Sequence, residues 1–210
     1  MKAVINQAFD RPTRMSAVFL FVDHQVGPLW EPEAATLRHQ VARLATVATR
    51  LAMPTIVSAL ACDEWGPIIP ELREAAPTAP IIRRTAVNAW DAPRVRRAIE
   101  ATGRTHLVIA GVALEECVTT TAITAAASGY HVHAILDASG HFDQAAALTA
   151  VARMSRARVN VTNAGTLLVE LASSGSRSDT AELLSLTLCH RLPVPPAASL
   201  LRVRATGDAA

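Results

Sequence analysis

The chain has 210 residues, of which half are hydrophobic and 18% are charged, so it can bury a sizeable core as one domain. A net charge of +2 argues against a nucleic-acid partner, and no stretch has the roughly 18 apolar residues of a membrane span. The three cysteines (Cys62, Cys117 and Cys189) are widely spaced and match neither a zinc site nor a disulfide framework. We therefore expect a cytoplasmic protein with no nucleic-acid or membrane partner.

Short β-like runs alternate with longer helical runs along most of the chain. Apolar runs predict strands at 16–22, 55–60, 105–110, 131–136 and 159–162. Apolar residues three or four positions apart, or terminal signals, predict helices at 33–51, 92–101, 118–128 and 143–156. Asp91 is predicted to cap the second helix, and the proline-rich loop 61–80 is predicted to hold one helical turn. This alternation predicts an α/β fold with helices on both faces of a parallel sheet.

The character of the chain changes beyond Leu171. The segment SSGSRSDT has the composition of a linker, Ala181 to Leu188 is predicted to be a short helix, and the prolines of LPVPPAA prevent its continuation. We therefore divide the chain into a domain at 1–172 and a C-terminal extension at 173–210. The extension is apolar enough to be partly ordered, and it suits a subunit interface.

Polar residues follow several predicted strands at the edge where parallel sheets bind ligands. Asp23 ends the first strand and can act as a general base, or simply anchor the loop. Cys117 lies where a loop turns into a helix, which favours the thiolate and predicts a pKa below the usual value of about 8.5. A free cysteine is as often an inert buried residue. Arg83 and Arg84 are neighbours on an extended segment, so only one of them can face this edge.

Three segments of the chain carry a family resemblance. FLFVDHQ, RRTAVNAWD and VIAGVALEECVTTTAITAAASGYHVHAILDASG resemble the isochorismatase-like cysteine hydrolases, and NAWD is similar to one bacterial subgroup. The resemblance runs from Ser16 to Leu171. It implies an α/β fold of the three-layer, doubly wound kind, with a mainly parallel six-stranded sheet. It also implies a small-molecule substrate and a homo-oligomer.

The catalytic triad of that family consists of Asp, Lys and Cys. By resemblance, Asp23 is the aspartate and Cys117 is the nucleophile. The lysine position falls on Arg84, or on Arg83 after a shift of one residue. Lys2 is the only lysine in the chain, so an arginine must supply the charge if the site is active.

The resemblance implies further features of the site. The family's cis peptide maps to the bond between Val112 and Ala113, and its oxyanion hole maps to the backbone N–H groups of Ala113 and Cys117. The metal-binding D-x-H pattern of the nicotinamidase branch is missing where this chain reads ACDEWG. Gly-rich phosphate loops are also missing. We therefore expect no metal and no other cofactor.

These observations predict a metal-independent cysteine hydrolase that cleaves a small amide-like C–N bond through a thioester on Cys117. Trp65 and Trp90 are candidate walls of its pocket. One alternative is a catalytically silent family member that serves as an oligomeric binding or scaffold protein, since arginine in place of lysine could inactivate the triad. A second alternative is a thiol-sensing role for Cys117, in which Cys62 would approach it across the sheet edge.

Overall fold

A computed structural model of the protein describes residues 11–29 and 34–173. Its strands are β1 (Ala17–Val22), β2 (Thr55–Leu60), β3 (Ile81–Arg84), β4 (His106–Gly111), β5 (His131–Ile135) and β6 (Asn160–Thr162). Its α-helices are α1 (Ala35–Arg50), α2 (Pro70–Ala75), α3 (Pro93–Glu100), α4 (Thr119–Ala127), α5 (Gln144–Arg156) and α6 (Ala164–Ser173). The predicted C-terminal extension lies outside the described residues, apart from the end of α6, and so does Cys189.

All six strands pair in parallel, in the order β3-β2-β1-β4-β5-β6. This confirms the predicted α/β fold, with a sheet that is entirely parallel. The chain winds outward from β1 in one direction and from β4 in the other, so the strand order reverses between these two neighbours. Val22 of β1 is in register with Gly111 of β4 at this reversal. In sheets of this kind the crevice beyond such a point is the usual ligand site.

Two hydrophobic cores cover the faces of the sheet. Helices α1, α2 and α6 pack on one face, and α3, α4 and α5 pack on the other. Every residue of β1 is buried, as its uninterrupted apolar run predicts for a strand covered on both sides. Within the described part of the chain, no helix is both long and apolar enough to cross a membrane.

The predicted secondary structure differs from the structure in four places, of which the first is helix α6, which was not predicted. Strand β3 alternates exposed and buried residues at the sheet edge, and its two arginines mask any apolar signal. Asp91 does not cap α3, because it is the last residue of the preceding turn, Ala89–Asp91, and Ala92 occupies the cap position without a side-chain bond. The proline-rich loop contains two helical pieces, a turn at Asp63–Trp65 and α2.

Candidate active site

Asp23 follows β1 at the reversal of strand order. Its backbone is left-handed, with φ of 56°, and its N–H donates to the carbonyl of Ser58 at 2.8 Å. This geometry turns the carboxylate back towards β2, where Oδ1 accepts from the N–H of Leu60 at 2.7 Å. The residue is only 1% exposed. Two backbone contacts therefore hold a buried carboxylate at the end of the central strands.

Arg84 ends the edge strand β3 and reaches over β2 to this carboxylate. Its Nη2 donates to Oδ2 of Asp23, its Nη1 donates to the carbonyl of Ala86, and its Nε donates to Oγ of Ser58 at 2.9 Å. The guanidinium and the carboxylate form a salt bridge with side chains only 2% and 1% exposed. Arg83 is exposed on the opposite face of the strand. The structure thus brings Arg84 to Asp23, and does not bring Arg83 there.

Cys117 lies on a π-helical turn, Leu114–Val118, that connects β4 to α4. The thiol is buried and donates to the carbonyl of Val112 at 2.9 Å. It also lies close enough to Asp23 to interact with the carboxylate. Gly111 allows the end of β4 to lie close to the end of β1, because an added Cβ would lie 2.5 Å from the carbonyl oxygen of Val22. Asp23, Arg84 and Cys117 therefore meet at one place, although they come from three strand ends.

The loop before Cys117 has the backbone geometry that the resemblance implies. The peptide bond between Val112 and Ala113 is cis. Ala113 is buried, and no acceptor among the described residues takes a hydrogen bond from its N–H. A buried donor without an acceptor carries an energetic cost that a ligand oxygen would relieve. The Ala113 N–H is therefore a suitable donor for an oxyanion.

The electrostatic environment of the thiol differs from the sequence-based expectation. Burial raises the pKa of Cys117 well above its ordinary value, and the negative charge of Asp23 raises it further, while Arg84 lowers it. Burial and the charge of Asp23 outweigh the stabilisation of the thiolate by the helix N-terminus, on which the expectation of a lowered pKa was based. Burial also raises the pKa of Asp23, and the Arg84 guanidinium offsets part of that rise. Before substrate binds, Cys117 is therefore a neutral thiol, and it lies beside the Asp23 carboxylate, whose basicity is increased.

The two tryptophans lie in different surroundings. Trp65 is half-buried on the turn that follows β2, at the same edge of the sheet as Asp23. Trp90 is 3% exposed; its Nε1 donates to Oγ of Ser128 at 3.0 Å, and its ring packs edge-on against Tyr130. The structure therefore places Trp90 in the core beneath α3 and α4, which does not suit the predicted role of pocket wall.

Cys62 and two buried histidines are further reactive side chains in the described part of the chain. Cys62 and Cys117 are both free, and the Cys62 thiol donates to Oε2 of Glu64 at 2.9 Å. His133 is buried and bonds through Nε2 to Nδ1 of His106 at 3.0 Å. Across residues 11–29 and 34–173, no cluster of three or more His, Cys, Asp or Glu side chains could hold a metal ion.

Three buried polar residues near the site were not predicted from the sequence. Ser58 is the single polar residue among the four buried positions of β2. A hydroxyl in an otherwise apolar strand is the feature of the sequence that could have indicated it. Gln25 accepts from the N–H of Leu60 and donates to the carbonyls of Leu60 and Gly66, so it joins β2 to the next loop. His24 is fully buried and follows Asp23 directly.

His24 links acid pH to the stability of the fold. Its Nε2 donates to the carbonyl of Ala138 at 2.9 Å, and its Nδ1 has no partner among the described residues. Burial lowers the pKa of His24 from 6.5 to about 4. Between these values the unfolded chain binds a proton that the folded chain does not. Stability therefore falls as the pH drops from 6.5 towards 4.

We expect this effect to cost about 2 kcal/mol of unfolding free energy between pH 7 and pH 5. Urea unfolding of the wild-type protein and of His24→Gln at both pH values measures it. Glutamine can donate an amide N–H to Ala138 but does not titrate. The unfolding free energy of His24→Gln should therefore fall by about 2 kcal/mol less than that of the wild type between pH 7 and pH 5. Equal losses in the two proteins would show that His24 does not carry the effect.

The fold and the site together define a doubly wound α/β protein with a buried group of Asp23, Arg84 and Cys117. An isochorismatase domain matches residues 17–165, which is more than half of the chain. The chain belongs to the isochorismatase family of hydrolases. This confirms the family resemblance based on the strand-end segments.

The fold of this chain is similar to that of two relatives with solved structures over more than nine-tenths of its length. The chain is 34% identical over 158 residues to the probable hydrolase YcaC of Escherichia coli K12, covering 73% of this chain and 76% of that protein. Pseudomonas aeruginosa YcaC, solved with hexane-2,5-diol and covalent acrylamide, superposes with a TM-score of 0.79 at 32% identity, covering 94% and 98% of the two chains. Escherichia coli YcaC, described as an octameric hydrolase of unknown specificity, superposes with a TM-score of 0.79 at 31% identity, covering 93% and 97%.

Proposed function

We propose that this protein is a cysteine-dependent, metal-independent hydrolase of a small amide-like substrate. The observation that carries the proposal is the meeting of Cys117, Asp23 and Arg84 beyond the ends of β4, β1 and β3. A nucleophile, a base and a fixed cation, buried side by side, are the groups that acyl transfer requires. The exposed fractions of these residues, 5% or less, favour a small substrate over a macromolecule.

The reaction begins with the thiol in its neutral form. As Sγ of Cys117 bonds to the substrate carbonyl carbon, the thiol proton passes to the Asp23 carboxylate, and the carbonyl π electrons move to the oxygen. The N–H groups of Ala113 and Cys117 hold that oxyanion. When the oxyanion collapses, the C–N bond breaks and Asp23 returns the proton to the leaving nitrogen. A thioester remains on Cys117.

The thioester is removed by water in the second half of the reaction. Asp23 accepts a proton from water as the water oxygen bonds to the acyl carbon. The C–S bond then breaks and a carboxylic acid is released. The proton then returns to the sulfur of Cys117. Arg84 transfers no proton, because a guanidinium stays charged; it compensates the charge of Asp23 and of the developing thiolate. This purely electrostatic role is the reason that arginine suits the lysine position.

An activated ester provides a test that does not require the native substrate. We expect p-nitrophenyl acetate to acetylate Cys117, as seen by peptide mass spectrometry after acid quench, and the acetyl group to disappear with turnover. Asp23→Asn should lose both steps. Acetylation restricted to Cys62 or Cys189 would refute the mechanism, and a permanent acetyl group on Cys117 would favour the silent alternative.

The covalent acrylamide on Pseudomonas aeruginosa YcaC supports the presence of a reactive nucleophile in the family, because nucleophiles such as thiolates add to the carbon–carbon double bond of acrylamide. We also propose that this chain forms a homo-oligomer, as its octameric Escherichia coli relative does. Exposed Phe142 and Leu148, at 61% and 63%, are apolar side chains suited to subunit contacts. Sedimentation velocity of the full chain measures the assembly, and a monomer would contradict this part of the proposal.

A further inference from the structure

Ser58 contacts both members of the buried ion pair. It lies in the middle of β2 and is 0% exposed. Its backbone carbonyl accepts from the N–H of Asp23 at 2.8 Å, and its Oγ accepts from Nε of Arg84 at 2.9 Å. One residue therefore sets the position of the carboxylate through its main chain and the position of the guanidinium through its side chain.

The Ser58 hydroxyl interacts with a feature of arginine that lysine lacks. The Nε–H lies in the guanidinium plane and runs nearly parallel to one N–H of Nη2, so an acceptor for Nε fixes the direction of the whole fork. Here Nε, Nη1 and Nη2 each donate to a separate acceptor, namely Ser58, Ala86 and Asp23. A lysine ammonium concentrates its three donors on one atom at the end of a flexible stem. It cannot reproduce these three separated contacts.

We propose that Ser58 is a positioning residue that adapts this active site to arginine. By accepting from Nε, it orients the Arg84 guanidinium so that Nη2 meets Asp23 and the positive charge stays beside Cys117. The proposal rests on the proposed role of the Asp23–Arg84–Cys117 site and identifies what makes the arginine effective there. Without the hydroxyl, the guanidinium loses one of its three fixed contacts and can rotate away from the carboxylate.

The pH dependence of Cys117 alkylation by iodoacetamide tests this role without any turnover. Asp23, Arg84 and Glu116 are the charged groups that act on the thiol, and the pKa-raising effects of the two carboxylates are opposed by Arg84. In Ser58→Ala, displacement of the positive charge should move the alkylation profile to higher pH by about one unit. Alkylation on the acidic side of the profile should then be about tenfold slower.

The double variant Ser58→Ala/Arg84→Lys separates positioning from packing. Lysine has no Nε–H, so loss of the hydroxyl should change the rate in the Arg84→Lys background by less than about twofold if Ser58 acts through Arg84. Equal effects of Ser58→Ala in both backgrounds would overturn the proposal. Thr55→Val is the matched control, because it removes a hydroxyl at the first residue of β2 that donates to the Met53 carbonyl. Its profile should equal that of the wild type.

A second pair of variants applies if Ser58→Ala does not fold. Ser58→Thr and Ser58→Val add the same methyl group and differ in the hydroxyl, so a wild-type profile for Thr and a shifted one for Val support the proposal. Identical profiles overturn it. If the wild-type enzyme hydrolyses no ester but the coupling to Arg84 holds, the proposed function fails and the role of Ser58 stands. If Ser58→Ala hydrolyses ester with an unshifted profile, the role of Ser58 fails alone.

Discussion

Cys117→Ala should reduce ester and amide hydrolysis by roughly 10³-fold or more, because it removes the atom that forms the thioester. Cys117→Ser should be nearly as inactive, because a hydroxyl has a far higher pKa than a thiol and burial at this position opposes its ionisation further. Initial rates with p-nitrophenyl acetate and with a panel of small amides measure both losses. Folding should be retained, since each change removes or replaces a single buried atom.

Cys62→Ala is the matched control for this experiment. Cys62 is a free cysteine on the loop after β2 whose thiol bonds to Glu64, outside the Asp23–Arg84–Cys117 site. We expect wild-type rates for this variant. Hydrolysis that survives in Cys117→Ala at a rate near that of the wild type would exclude the thioester mechanism and require another nucleophile.

Arg84→Met should reduce both activity and stability. Methionine fills much of the space but leaves the Asp23 carboxylate buried without its cation, which in comparable buried pairs costs about 3 kcal/mol. The loss of a preorganised charge beside the reacting atoms should lower turnover by roughly 10²-fold to 10³-fold. Urea unfolding and initial-rate measurements report the two effects separately. Part of the stability should return as the pH is lowered, because burial raises the pKa of Asp23 and its protonation removes the unpaired charge.

Arg83→Met tests whether the position of the charge matters or only its presence near the edge strand. Arg83 is the neighbouring residue in sequence, but it is exposed on the opposite face of β3. Its replacement should change the unfolding free energy by no more than about 0.5 kcal/mol and leave turnover unchanged. Equal losses for the two variants would show that the contact between Arg84 and Asp23 does not carry the effect.

Much of this molecule is predictable from local sequence patterns. The central strands are continuous apolar runs, and such runs form buried strands whatever their neighbours. Because Asp23 directly follows β1 and Cys117 lies in the segment after β4, and parallel strands share their carboxyl edge, the strand pattern alone predicts that both residues lie at that edge. The edge strand β3 lacks this signal, since pairing with β2 on one side only leaves half of its residues exposed.

The sequence by itself determined the layered α/β architecture and the family, because these depend on periodicity and on short motifs, and it predicted Asp23 as the base and Cys117 as the nucleophile of the proposed reaction. Only the tertiary structure decided between Arg83 and Arg84, since the inward face of an edge strand depends on its pairing register. It also reversed the expected direction of the Cys117 pKa and moved Trp90 into the core. These properties arise from burial and from charges that distant segments supply. Ser58, one hydroxyl in an apolar strand, acquires a role only when Arg84 folds across it.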